Sequence, residues 1–382
     1  MSSRPLLFVD HAPALGGAEL SLLCLLGRLD RGRWAPQLIS PGGPLAEEAR
    51  ALGLPVHVLP LERLRRSPRA PLAWLAGARA IARVAREAEA ALLIANTVRA
   101  ALYTAPAARL AGVPFVWHMR DYWLSEAAPA HPWLDRLGKR LLAAGATRVI
   151  ANSRSVAAQL PHADRVAVVY NGIEVERYDP ALPGGPFRAR HGLPPAGPLV
   201  GMVGRLRPWK GQERFLRAMA RVAESLPEAR FAVVGGAILG PDDGYPARLQ
   251  RLAGELGLGE RVIFTGHLAD VRPALAAMDL LVHPGDPEPF GRVVVEAMAM
   301  ARPVVACAHG ALPEIVLPGE TGLLVPPGDE AALAAAVLAL LHDPEQRQRM
   351  GQAGRARVER CFSVERMVSE MESVLAGALA RK

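Results

Sequence analysis

Two carboxylates, Glu288 and Glu296, lie in Asp286–Met298 (DPEPFGRVVVEAM), and two cations, Arg205 and Lys210, lie in Gly204–Gly211 (GRLRPWKG). An arginine grips phosphate oxygens through paired N–H groups and a lysine acts as a point charge. Together they suit a diphosphate and can stabilise the charge that builds on a departing nucleoside diphosphate. Two plain surface cations are the alternative. Glu296 falls about a turn and a half into an otherwise apolar helical run. Burial of that carboxylate requires partners, and a ribose diol offers two hydroxyl donors. Glu288 comes earlier, in the loop, where it can reach a sugar. Between them Phe290, Gly291 and Arg292 open the helix, where free amides form an anion site for the same diphosphate. An ordinary helix cap explains those amides but not a buried Glu296.

Weaker signals lie in the first half. The segment His11–Glu19 (HAPALGGAE) follows an apolar run and opens a helix, so the amides of Gly16 and Gly17 can face a phosphate or sugar. It lacks the G-x-G-x-x-G spacing of a dinucleotide fold, and a tight turn explains two glycines equally well. His118, in Trp117–Asp121 (WHMRD), stands at a strand end, where a lone histidine is either structural or functional. Asp121 is a candidate to orient it or the acceptor, and Arg120 a candidate to meet an anionic acceptor. Asn171-Gly172-Ile173-Glu174 reads as an interdomain hinge.

Strands are expected at Leu6–Val9, Gln37–Ser40, Val56–Leu59, Ala91–Asn96, Phe115–His118 and Arg148–Ser153, with helix-length segments between them. After a Pro/Gly-rich passage from Asp179 to Pro198 the rhythm restarts at Leu199–Leu206, Arg230–Gly235, Val262–Gly266, Leu280–Pro284, Pro303–Ala306 and Leu323–Val325. The fold class is therefore α/β, with two doubly wound parallel sheets and a cleft between them. The expected divisions are residues 1–170, a hinge or linker over 171–198, a second domain over 199–362, and a helical segment over 363–382 returning to the first domain. In such sheets ligands bind beyond the carboxyl ends of the strands, where all the candidates above fall.

The bulk properties agree with 382 residues forming two domains, with 51% hydrophobic and 21% charged residues. Cys24, Cys307 and Cys361 are too scattered for a zinc site and read as buried, reduced thiols. No secretion signal or membrane span is visible, so a cytoplasmic location is expected. The net charge of +8 is uneven: residues 1–170 carry an excess of 9 positive charges, and the remainder is nearly neutral. Seven arginines between Arg63 and Arg86 are the densest part. They read either as a solvated helix face or as a contact for an anionic membrane surface or acidic acceptor, peripheral on the inner face of the cell membrane. Sparse aromatic interleaving argues against nucleic acid.

Taken in order, GGAE, GRLRPWKG, EPFGRVVVEAMA, RPVVA, ALPEIV and GETGLLVPPGD resemble the GT-B glycosyltransferases of family 4, most strongly from Leu199 to Asp329. The resemblance implies two Rossmann-like domains facing a central cleft and a retaining, metal-independent transfer from a nucleotide sugar, UDP- or GDP-linked. No cofactor is implied beyond that donor. Arg205 and Lys210 would hold the diphosphate, Glu288 the donor sugar and Glu296 the ribose, with His118 facing the sugar near the transferring carbon. Ser153, in Ala151-Asn152-Ser153-Arg154, matches a family position on the acceptor side. A glycan or lipid-linked acceptor is the family-based expectation. Ala311 departs from the family's usual second glycine, and Glu174 from its commoner aspartate. There is no D-x-D, and Asp242-Asp243 read as solvated turn residues. A nucleotide-sugar epimerase or hydrolase of the same fold, or a non-catalytic nucleotide-sugar-binding protein, are the rival readings; a dehydrogenase is disfavoured by the missing fingerprint.

Overall fold

The structure, a computed structural model, describes residues 3–12, 14–61, 70–124, 129–161, 163–236 and 244–380. The chain forms two compact units, Met1–Ile173 with Val364–Lys382, and Glu174–Ser363. Each is a parallel sheet with helices on both faces.

The first unit contains β1 (Arg4–Val9), β2 (Trp34–Ser40), β3 (Val56–Val58), β4 (Leu92–Ala95), β5 (Phe115–Met119), β6 (Arg148–Ala151) and β7 (Val166–Val168), in the spatial order β3-β2-β1-β4-β5-β6-β7. Its central strands are covered on both sides, which is why they read as continuous apolar runs. Alternate side chains serve opposite cores. Leu7 and Val9 join Leu93, Trp117 and Ile81 on one face. Leu6 and Phe8 join Ile94, Leu22, Leu25, Met371 and Leu375 on the other. Met371 and Leu375 come from the helix Val364–Leu379, which packs on the helix Gly17–Arg28 and completes that face. Glu372 accepts from the Asp30 backbone amide at 2.9 Å and pairs with Arg33 at 3.4 Å.

The second unit contains β8 (Leu199–Val203), β9 (Arg230–Val234), β10 (Val262–Phe264), β11 (Leu280–His283), β12 (Val304–Cys307) and β13 (Gly322–Val325), ordered β10-β9-β8-β11-β12-β13. Phe215, Leu216 and Met219 of the helix Gln212–Ser225 pack with Leu333, Val337 and Leu340 against one face. Strand order reverses between β1 and β4 in the first sheet and between β8 and β11 in the second. The crevice left by such a reversal is where open α/β sheets bind ligands.

Several sequence expectations are corrected. The strand expected at Leu199–Leu206 ends at Val203, and the one expected at Arg148–Ser153 ends at Ala151, because the residues beyond leave the ladders to form loops and a helix cap. Strand β7 was not anticipated: it has three half-buried residues and sits at a sheet edge. Residues 174–198, read as part of a linker, belong to the second unit. There Arg188 donates to the carbonyls of Pro194, Gly197 and Ala277, and Phe187 is buried. Cys307 is buried, but Cys24 and Cys361 are only half-buried. Among the described residues no helix is long and apolar enough to cross a membrane.

Candidate functional site

The carboxyl edge of the second sheet is drawn tight by backbone contacts at glycines. Gly204 donates to the Val234 carbonyl at 2.9 Å, and Gly235, with φ +138°, approaches so closely that a Cβ would stand 1.9 Å from the Gly204 carbonyl oxygen. Gly211, with φ +80°, similarly abuts Pro284, whose carbonyl oxygen would be 2.6 Å from an added Cβ. The Asp286 amide donates to the Trp209 carbonyl at 3.0 Å. The contacts of Gly211 with Pro284 and of Asp286 with Trp209 tie the loop after β8, which carries Arg205 and Lys210, to the loop after β11, which carries Glu288. Both loops flank the strand-order reversal.

Lys210 and Glu288 are in direct contact there. Glu288 is buried, and its Oε2 accepts from Lys210 Nζ at 2.6 Å and lies 3.2 Å from His283 Nε2. Oε1 accepts from the Gly291 amide at 3.0 Å. Burial pushes the Glu288 carboxyl up, but the Lys210 ammonium and the His283 imidazole outweigh it and hold the group well below the usual carboxylate range. Arg205 is exposed, two residues beyond β8. Its backbone carbonyl accepts from the side chain of buried Gln212 at 2.8 Å, which fixes the loop while leaving the guanidinium at the surface.

Glu296 is buried in the helix Arg292–Ala299, and its Oε1 accepts from Arg292 Nε at 2.8 Å. The Tyr178 hydroxyl hydrogen-bonds with the same two side chains, and its burial together with the Glu296 charge pushes that phenol up. Two sequence readings change here. Burial of Glu296 is compensated by Arg292 and Tyr178 within the fold, because a residue four positions earlier shares its helix face. The Gly291 amide is not free, since the preceding carboxylate folds back to cap it. Phe290 is buried, edge-on to Phe362 at 6.1 Å between ring centroids, and packs the loop rather than offering a surface.

The first unit has its own polar cluster at strand ends. His118, the fourth residue of β5, is buried, and its Nε2 has no hydrogen-bond partner. Desolvation and the nearby Arg120 charge hold its pKa well below the ordinary histidine value, so the imidazole is neutral. Asp121 is exposed and does not partner that nitrogen. Arg120 is buried and donates from Nε to Asn96 at 2.8 Å and from Nη1 to Asn171 at 2.5 Å. Asn96 in turn donates to Asp10 at 2.6 Å, whose carboxyl is raised by burial against the opposing effects of Ala12, Asn96 and Arg120. Ser153 is fully buried and caps the helix Arg154–Ala157 by accepting from the Val156 amide at 3.1 Å. Gly16 precedes the helix Gly17–Arg28, but its amide donates to Glu19 Oε2 at 2.9 Å instead of standing open.

Sequence reasoning missed His283, Tyr178, Gln212 and the pair His309–Asp286, which meets at 2.6 Å beside the Glu288 loop. None carries a spacing signal. Arg63, Arg65, Arg66, Arg69, Asp242 and Asp243 lie outside the described residues. Of the arginine-rich run, Arg79, Arg83 and Arg86 lie on the helix Ala70–Glu87.

Residues 15–177 match the model "Glycosyltransferase Family 4", and residues 186–357 match "Glycosyl transferases group 1". A relative from Thermomonospora curvata, a D-inositol 3-phosphate glycosyltransferase, is 35% identical over 290 residues, covering 70% of this chain and 67% of the relative. The chain belongs to the family 4 glycosyltransferases. A Streptomyces avermitilis relative of the same name is 33% identical, with 72% of this glycosyltransferase and 62% of the relative covered; the chain thus spans about two thirds of these curated relatives. The crystal structure of Anabaena HepE in complex with UDP and glucose superposes with a TM-score of 0.84 and 29% identity, covering 97% of this chain and 99% of that one. HepE has also been crystallised with UDP-glucose, at the same TM-score. The two parallel-sheet units of this glycosyltransferase are those of the GT-B fold.

Proposed function

We propose that this glycosyltransferase moves a hexose from a UDP- or GDP-sugar to a hydroxyl of a glycan or lipid-linked acceptor, with retention of anomeric configuration. The observation that carries the donor half is the meeting of Lys210 and Glu288 at the β8/β11 reversal, with Arg205 exposed on the same edge. The UDP-glucose complex of HepE supports the donor class.

In this reading Lys210 turns from Glu288 to the diphosphate, joined by Arg205, and the two cations supply the charge stabilisation for which many transferases use a metal ion. Glu288, still held by His283 and Gly291, accepts hydrogen bonds from sugar hydroxyls. Glu296 receives the ribose diol, and the unpartnered Nε2 of His118 is open to a sugar hydroxyl. The bond from C1 to the β-phosphate oxygen breaks, and the acceptor oxygen bonds C1 on the same face. The acceptor proton passes to the departing phosphate.

The name of the relatives favours a second acceptor reading, a phosphorylated cyclitol. The test is mass spectrometry of products from a panel of UDP- and GDP-sugars, each with lipid-linked, glycan and D-inositol 3-phosphate acceptors, and NMR of the new anomeric centre. An α-linked product from an α-linked donor is expected. Donor consumption at the same rate with and without every acceptor would overturn transfer in favour of hydrolysis.

A further inference from the structure

The helix Pro132–Gly145 is built inside out. Its buried face carries an ion pair: Lys139 Nζ and Asp135 Oδ2 meet at 2.6 Å, with side-chain exposures of 3% and 6%. Asp135 also accepts from the Leu124 amide at 2.7 Å, and Lys139 donates to the Tyr122 carbonyl. Leu124 packs so closely on Gly138 that a Cβ there would stand 2.4 Å from its Cδ1. These contacts lock the rotation of the helix about its axis. The opposite face then presents Trp133, Leu134, Leu137 and Leu141, exposed by 61%, 47%, 46% and 67%. Their spacing of i, i+1, i+4 and i+8 makes one stripe along a helix of about 21 Å. Arg136 and Arg140, both exposed, border the stripe on one side.

An apolar stripe fixed outward by a buried ion pair is not loose packing, and water is a poor environment for it. We infer that this face lies in the interface of an anionic lipid bilayer, with Trp133 and the leucines among the acyl-chain boundary and Arg136 and Arg140 on the phosphates. Leucine and tryptophan on one side with arginines alongside is the chemistry of an interfacial helix. The same arginines argue against a second copy of this chain, because two such faces brought together would oppose like charges. The excess of 9 positive charges over residues 1–170 favours an anionic surface as well. The inference is independent of which acceptor the enzyme uses.

The test is co-sedimentation of the full chain with phosphatidylcholine vesicles, with and without phosphatidylglycerol. Binding to the phosphatidylglycerol vesicles is expected, falling with added salt. The double variant Leu137→Glu/Leu141→Glu and, separately, Arg136→Gln/Arg140→Gln should each weaken it by about tenfold or more. Both alter exposed side chains, so the melting temperature and transfer to a water-soluble acceptor should stay at the wild-type level. The vesicle-dependent blue shift of tryptophan emission should vanish in Trp133→Phe. Wild-type protein that stays in the supernatant, or binding that both double variants retain, would overturn the inference. So would a concentration-dependent dimer that Leu141→Glu disperses, which would assign the face to self-association.

Discussion

Lys210 donates to Glu288 at 2.6 Å, so the cation proposed for the diphosphate is held by the carboxylate proposed for the sugar. On the proposed role of Lys210, donor binding would exchange one ion pair for another. Lys210→Ala should lower transfer by more than about tenfold, the scale of losing one charge stabiliser. It should also leave Glu288 with less to oppose its desolvation, raising its pKa. The acid limb of the kcat/KM profile should then move to higher pH, and a pH–rate series on wild type and variant checks both effects.

Glu296 is partnered by Arg292 at 2.8 Å and by the Tyr178 hydroxyl. Removal of the carboxylate thus takes a partner from Arg292 as well as deleting the acceptor proposed for the ribose. Glu296→Ala should weaken nucleotide binding by about tenfold or more, as expected for loss of hydrogen bonds to a charged group. Tyr178→Phe removes only one of its neighbours and should cost less. Titration calorimetry with UDP and GDP on both variants orders the two effects.

The placement of Arg205 with Lys210, and of Glu288 with Glu296, was legible because each pair is close in sequence. Arg205 and Lys210 leave one strand, Glu288 and Glu296 leave another, and the apolar runs before them place both at a sheet edge. What stayed hidden depends on distance along the chain. Asp10, Asn96, Arg120 and Asn171 form one hydrogen-bonded line, yet each successive pair is separated by 86, 24 and 51 positions. His283 ends an otherwise apolar strand and carries no spacing signal of its own. In the helix Pro132–Gly145 the apolar periodicity points outward, and the buried Asp135–Lys139 pair shows the direction.

Glu19 offers a test in the first unit by pH alone. Burial and the neighbouring Asp10 charge push its carboxyl to about 7, while the Gly16 amide opposes them. A carboxyl raised from 4.5 in the unfolded chain to about 7 in the folded one holds its proton better when folded. Its contribution to stability is present in full below pH 4.5 and is lost as pH rises through about 7, with a span of about 3 kcal/mol. Glu19→Gln keeps an acceptor for the Gly16 amide and removes the ionisation. Chemical denaturation from pH 4.5 to 8 should show a shallower decline in the variant than in wild type, whereas identical slopes would place the titration elsewhere.

Gly211 separates the two ways a glycine can matter. With φ +80° and an added Cβ 2.6 Å from the Pro284 carbonyl oxygen, Gly211→Ala meets both a strained backbone and a clash with rigid main chain. The cost should be about 3 kcal/mol. The clash pushes directly between the Lys210 loop and the Glu288 loop, so any variant that folds should lose transfer beyond its loss of stability. Gly254 is the counterpart: it lies within the helix Tyr245–Glu255, and a Cβ there meets nothing within 4 Å. Gly254→Ala should therefore stabilise the protein by about 0.5 kcal/mol through helix propensity and leave transfer unchanged. Urea unfolding paired with a transfer assay at a temperature where all three proteins are folded reads both axes. If Gly211→Ala matched wild type in both, the close approach of the two loops would have no part in holding Lys210 against Glu288.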